Sequence, residues 1–357
     1  MGQTALRVVV VGAGIIGASI AWHLARKGAR VTLVEKGPTP AGGVTRWSYG
    51  WVGTSSMLPS EDPSGFRSKM EAIAEFARWE RDLGPLPIAA RGALVWLDTD
   101  EATARLIKEQ QAACVRMEAL SHDGVATLEP RLASPPTLAA WAPDDFAVEP
   151  VEMTHRLLDA AREAGSEIVY GMGVDHIETR SARVAGVRTT NGTLPADIVV
   201  LANAGAAASL VSPFGIALPL RGEPAVLMRF TREPDLLRHL IYGEGLELRP
   251  GRAGDLVSAE DYPSDGEAGL SALAERTAAM VERMFTPSER PSLITIRSAY
   301  RPMTPDGTPL RRFLPEVEGL YVTVAHPGVI LAPQVGRLAA DEIVGRPPLA
   351  RPVGLPL

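Results

Sequence analysis

Cysteine is almost missing from this chain. Cys114 is the only one in 357 residues, so no intrachain disulfide can form and no set of thiolates can hold a metal. A reducing compartment fits, and the cytoplasm is the expected location. The six histidines, His23, His122, His155, His176, His239 and His326, show no paired spacing for metal either. A basic excess is also lacking: 36 Lys+Arg against 42 Asp+Glu leave a net charge of −6, which offers a nucleic-acid backbone no footprint. Long apolar runs are absent. The nearest candidate, Val8 to Ala25, is interrupted by Gly12, Gly14, Gly17, Ser19 and His23 and meets Arg26 and Lys27 without a cleavage site. Neither a signal peptide nor a membrane span is expected. Leu6 stands where a myristoylation signal would need Ser or Thr. What is present is ordinary globular composition, 46% hydrophobic and 22% charged, in a chain long enough for roughly two domains of ~150 residues. Small molecules are the expected partners.

Leu6 to Val11 is a β-branched run without alternation, the pattern of a parallel strand buried on both faces. Gly12 to Gly17, "GAGIIG", forms a tight turn. Apolar residues then recur at helical spacing to Gly28, which stops the helix, and Val31 to Glu35 is the next strand. This is a β-α-β unit of dinucleotide-binding length. Gly12 permits the turn, Gly14 lets backbone approach a pyrophosphate, and Gly17 lets the helix pack on the strand. The helix N-terminus offers free N–H groups and positive dipole to phosphate. Glu35 is placed to accept two ribose hydroxyls, which disfavours a 2′-phosphate and leaves NAD or FAD. Ile16 and Lys36 complete the candidates of this unit.

Three further segments resemble the flavoprotein family of D-amino acid oxidase, glycine oxidase and sarcosine oxidase. After Glu35 the chain continues "KGPTPAGGVTRWSYGWVGTSS", where the family runs beside the pyrophosphate and the flavin ring. The resemblance implies Thr45, Arg46, Ser48, Gly50, Trp51 and Val52 as cofactor contacts. "VEMTHRLLDAAREAGSEIVYGMGVDHIETRSARVAGVRTTNGTLPADIVVLANAG" reads as a helix from Pro150 to Gly165, a strand, an antiparallel excursion and the buried strand Ile198 to Ala202. By the same resemblance Val174 holds the adenine, and Ala204 and Gly205 let backbone approach the dinucleotide. "SAYRPMTPDGTPLRRFLPEVEGLYVTVAHPGVILAPQVGRLAADEIVG" supplies a buried strand, Gly319 to Ala325, and a helix, Val329 to Val344. The helix start, Gly328, Val329 and Ile330, would direct positive dipole at the flavin. The loop from His326 to Gly328 is shorter than in relatives.

In "YRPMTPDGTP" Arg301 matches the family's clamp for a substrate carboxylate, a role suited to a planar guanidinium. In "YGEGLELRPGRAGDLVSAEDY" Glu247 stands where many relatives bring a tyrosine over the flavin, and a carboxylate there would favour a substrate with an additional cationic or donor group. Trp51 and Tyr300 are the remaining candidates for the catalytic pocket, with Tyr242 and Tyr262 as further candidates for its lining. The expected reaction is oxidation of the C–N bond of an amino acid or carboxylated amine by hydride transfer to flavin N5, with no obligatory general base. Trp47 occupies about the place of a flavin-attaching histidine, so FAD is expected to be noncovalent. All four lysines, Lys27, Lys36, Lys69 and Lys108, lie before residue 110, unlike the oxygen-activating lysine of monomeric sarcosine oxidases. A 2-hydroxy-acid dehydrogenase, or a flavin-binding subunit of a larger redox complex, stays open, as does a homo-oligomer.

The expected fold class is α/β: a Rossmann-like FAD-binding domain from residues 1–84, 146–212 and 291–357, with an inserted α+β substrate domain, residues 85–145 and 213–290, containing an antiparallel sheet. Within the insert, Asp98 to Leu120 reads as one amphipathic helix, with Cys114 as a small core residue.

Overall fold

The computed structural model describes residues 5–286 and 289–345; the outer ends of the expected domain bounds, 1–4 and 346–357, lie outside them. The opening β-α-β unit is present as strand Arg7–Val11, helix Ile15–Arg26 and strand Arg30–Val34. Gly28 takes φ +81°, and its N–H reaches the Ala25 carbonyl at 2.9 Å, closing the helix in the left-handed conformation that glycine adopts freely. These strands belong to a six-stranded sheet in the order Leu310–Phe313, Leu320–Val324, Ile198–Leu201, Arg7–Val11, Arg30–Val34, Glu167–Val169. All neighbours are parallel except the first pair, and the central strands are buried throughout. Uninterrupted Val/Ile/Leu runs are what two covered faces demand.

Helix Ile15–Arg26 packs against helices Pro150–Glu163 and Gly328–Val344. The second crossing is close because position 336 is glycine: a Cβ there would lie 1.9 Å from Ser19 Oγ, which donates to the Ala332 carbonyl at 2.8 Å. A three-stranded antiparallel sheet, Val174–Arg180, Arg183–Thr189 and Gly192–Pro195, flanks this layer.

The second layer is a nine-stranded sheet ordered Leu293–Met303, Arg221–Thr231, Asp255–Asp261, Leu246–Pro250, Leu240–Gly243, Ile88–Val95, Leu138–Val148, Trp51–Val52, with Glu118–Ser121 also on Leu138–Val148. Its pairs are antiparallel apart from Leu240–Gly243 with Ile88–Val95. Its strands come from both sides of the expected boundaries, since Trp51–Val52 and Leu293–Met303 were assigned to the cofactor domain. Parallel and antiparallel sheets in one chain agree with the expected class.

The single helix expected from Asp98 to Leu120 is corrected. It spans Asp100–Ala112, capped by Thr99, whose hydroxyl accepts from the Ala102 N–H at 3.1 Å. Cys114 then sits in a turn at φ +63° and is exposed, so it is not a core residue. The chain returns as strand Glu118–Ser121, paired to Leu138–Val148. Pairing partners from later in the chain outweigh the helical periodicity here. Among the described residues no helix is long and apolar enough to cross a membrane.

Candidate active site

One cavity of about 1000 Å³ lies between the two large sheets, at the upper end of the usual size of ligand sites. Its walls start where strands of the parallel sheet end: Gly12, Glu35, Ala202 and Ala325 each follow a strand's C-terminus. This is the crevice in which open α/β sheets bind ligands.

The glycine turn behaves as its spacing requires. Gly12 is held at φ +104°, with a hypothetical Cβ 2.9 Å from the Ala202 carbonyl oxygen, and a Cβ at Gly17 would lie 2.0 Å from the Gly12 carbonyl oxygen. Thr45 Oγ1 accepts from the Ile15 N–H at 3.2 Å. Glu35 accepts from the Ala13 and Gly37 N–H groups, each at 2.8 Å, which fixes its carboxylate at the rim of the turn. Across the crevice, helix Gly328–Val344 starts at Pro327 without a side-chain cap, so its first N–H groups face the cavity through Gly328, Val329 and Ile330. Among the described residues, four buried side-chain atoms on the cavity lining have no protein partner: Asn203 Oδ1, Thr323 Oγ1, Tyr49 Oη and Arg301 Nε.

Unsatisfied backbone donors at two helix starts, a turn that excludes Cβ atoms and orphaned polar atoms along one wall make a donor and acceptor set suited to a bound dinucleotide. Of the expected cofactor contacts, Gly12, Gly14, Ile16, Glu35, Lys36, Thr45, Ser48, Gly50, Trp51, Val174, Ala204, Gly205, Arg301, Gly328, Val329 and Ile330 all line the cavity. Ala204 does so at φ +54°, an uncommon conformation for a residue with a Cβ. Three residues are not on the wall. Gly17 acts one step behind, through helix packing. Arg46 is exposed, and Val52 is fully buried on its strand, opposite Phe146.

The far wall is the antiparallel sheet. Arg301 lies opposite Glu223 in register, and its Nη2 donates to Glu223 Oε1 at 2.8 Å, while its Nε is buried without a partner. His326 stands nearby. Burial, then the charges of Arg301 and Lys69, lower its pKa to about 4, so the imidazole is neutral at pH 7. Glu247 lines the same cavity and, among the described residues, makes no hydrogen bond or ion pair. Burial, then the neighbouring Glu260 carboxylate, raises its carboxyl to about 8, against the opposing pull of Arg249 and Arg301. Tyr300 touches the cavity from strand Leu293–Met303, yet alternation turns its side chain to the face opposite Arg301. There it is 58% exposed, and its ring is the first thing a Cβ at Gly222 would meet, at 3.3 Å.

Trp51 is held by a residue that motif spacing does not reveal. Its indole N–H donates to Asp145 Oδ2 at 2.9 Å, and Ser55 Oγ donates to the same oxygen at 2.6 Å. Arg249 is likewise silent in the sequence. Fully buried, it donates to the Tyr49 carbonyl at 2.7 Å and to Glu149 at 2.8 Å, tying the loop before Trp51 to the large sheet.

Fold and cavity together define a dinucleotide-binding protein with a charged ligand pocket facing the nucleotide crevice. The chain belongs to the FAD dependent oxidoreductase family, whose model matches residues 7–342. Glycine oxidase from Geobacillus kaustophilus is 29% identical over 359 residues, which cover 94% of this chain and 92% of that protein. D-amino acid dehydrogenase from Cereibacter sphaeroides is 26% identical over 413 residues, covering 96% and 93%. The crystal structure of glycine oxidase from Bacillus cereus shares the fold, with a TM-score of 0.81 at 23% identity over 98% of this chain and all of that one.

Proposed function

We propose that this enzyme oxidises the C–N bond of an amino acid or related carboxylated amine, with FAD held noncovalently. The observation that carries the reading is a single cavity joining the glycine turn to Arg301, whose buried Nε has no partner. Residues 12–17, Glu35, Thr45, Val174, Ala204 and the start of helix Gly328–Val344 hold the dinucleotide. When bound, FAD supplies the two-electron acceptor for the substrate's α-hydride. Arg301 orients the carboxylate, and neutral His326 adds no charge to compete with the guanidinium. The division into a cofactor domain and an inserted substrate domain is part of this proposal, with strand Leu293–Met303 bridging them. The one exposed thiol supports a reducing, cytoplasmic setting.

The test is a panel on purified protein. Amino acids and N-methyl amino acids should be oxidised, while the matching amines without a carboxylate and the matching 2-hydroxy acids should not. Preference for the hydroxy acids would overturn the assignment of the C–N bond. Flavin should be released by denaturation, as a noncovalent cofactor is. Gel filtration of the active species reports whether a second copy or a partner subunit accompanies it.

Glu223 bears on the same clamp. It lies 2.8 Å from Arg301 and 3.7 Å from Arg221, and its side chain is 41% exposed. An incoming carboxylate competes with it for Arg301. Exposed pairs of this kind contribute roughly 0.2–1 kcal/mol, so Glu223→Gln is expected to lower KM for carboxylated substrates by about two- to fivefold. Steady-state kinetics at constant ionic strength measures it, and an increased KM would show that Glu223 supports the clamp instead.

A further inference from the structure

We propose that Glu247 forms a second recognition pole, which selects amino acids carrying a cationic group at the end of a long side chain. The inference rests on the carboxylated-amine reading and names the substrate class within it.

The sheet places the two poles on one face. Arg301 and Ala299 alternate to the cavity on the edge strand, opposite Glu223 and Ala225 on the next. Ala259 and Glu247 continue that face on the following two strands. Glu247 is thus three strands across from Arg301 and four residues along. With strands about 4.8 Å apart and a rise of about 3.4 Å per residue, the two Cα positions are roughly 20 Å apart. The long side chains close much of that span, and the two groups interact electrostatically. Between them the floor carries the small side chains of Ala225, Ala259 and Ala299, which leave a trough bounded, level with Glu247, by Leu227 on the same face.

The charges along the trough are unequal in their needs. Arg301 has Glu223, and Arg249 has Glu149, but among the described residues the Glu247 carboxyl has no cation within pairing distance. Such an acid offers an incoming ammonium an open acceptor, and the attraction of the pair has to offset the cost of ionising a carboxyl withdrawn from bulk water. The neighbouring charges act together. Glu260 on the adjacent strand disfavours ionisation, Arg249 on its own strand and Arg301 at the edge favour it, and the hydroxyls of the buried Tyr49 on the loop and the exposed Tyr242 on the hairpin are the other titratable groups that feel its charge. With its pKa raised to about 8, Glu247 is mainly protonated at pH 7 before binding. A bound cation lowers that pKa, so binding releases a proton to buffer, and affinity for cations rises with pH until about 8, then levels.

The probes are ligands that carry the two poles but no oxidisable α-amine. Calorimetry of the holoenzyme at pH 7, in two buffers of different ionisation enthalpy, compares 6-aminohexanoate with hexanoate and adipate. Wild type is expected to bind 6-aminohexanoate roughly 30-fold more tightly than hexanoate, with a fraction of a proton released. Glu247→Gln, which keeps shape and removes charge, should abolish both the preference and the release. In turnover, the ratio of kcat/KM for lysine over norleucine should fall with it. Equal affinities in the wild type would overturn the proposal without any variant. Tighter binding of adipate would overturn it too, because the carboxyl would then be serving as a neutral donor. Amine oxidation without discrimination between lysine and norleucine sinks this inference alone; no amine oxidation at all sinks the reading beneath it.

Discussion

Arg301→Ala is expected to lower kcat/KM for carboxylated substrates by roughly 30- to 1000-fold, the scale on which a desolvated charge pair loses one partner. Three effects add. The guanidinium fork that fixes the carboxylate is gone. Glu223, which it held at 2.8 Å, keeps only Arg221 at 3.7 Å. Its freed carboxylate then repels the substrate's own. Arg301→Lys should recover part of the loss, since a point charge attracts the carboxylate but does not orient it. Double substitution with Glu223→Gln should also recover part, by removing the repulsion. Flavin content should be retained in each variant, which separates a substrate role from a folding role. Unchanged turnover in Arg301→Ala would remove the clamp from the account.

Gly17→Ala should strip the protein of its cofactor. The added methyl would lie 2.0 Å from the Gly12 carbonyl oxygen, a backbone atom with the turn on one side and Ala202 on the other. Neither can yield cheaply, so helix Ile15–Arg26 must lift from its strand. Overpacking of this kind destabilises by roughly 1–3 kcal/mol, and the displaced helix start no longer presents its N–H groups to the pyrophosphate. Visible absorbance per protein and the melting temperature, with and without added FAD, are the measurements. Gly28→Ala is the control. It sits at positive φ, +81°, outside the helix, and nothing lies within 4 Å of its hypothetical Cβ. That variant should lose about 1–2 kcal/mol of stability from backbone strain alone and keep its flavin. A yellow, fully loaded Gly17→Ala protein would mean the turn tolerates the methyl and that flavin binding does not rest on this close contact.

Local rules made much of the nucleotide side legible. The run Arg7–Val11, the glycines at 12, 14 and 17 and the acid at 35 stand within one short stretch, where hydrogen bonding and steric demands act between neighbours. Helix Gly328–Val344 was readable for the same reason: its apolar spacing and the strand before it lie side by side in the chain. Composition, through one cysteine and a mild acidic balance, set the expectation of small-molecule partners.

The substrate side was decided by tertiary structure, because its contacts join residues far apart. Glu223 reaches Arg301 across 78 positions, and Asp145 reaches Trp51 across 94. Strand alternation in the finished sheet turns Tyr300 away from Arg301, and pairing with Leu138–Val148 cuts short the helix that periodicity extended to Leu120. The amino-acid order specified each strand's two faces, but which face meets the cavity depends on neighbours that only the assembled sheet supplies. A charge such as Glu247 acquires its unpaired, desolvated state only there, since burial and Coulomb forces depend on distance through space.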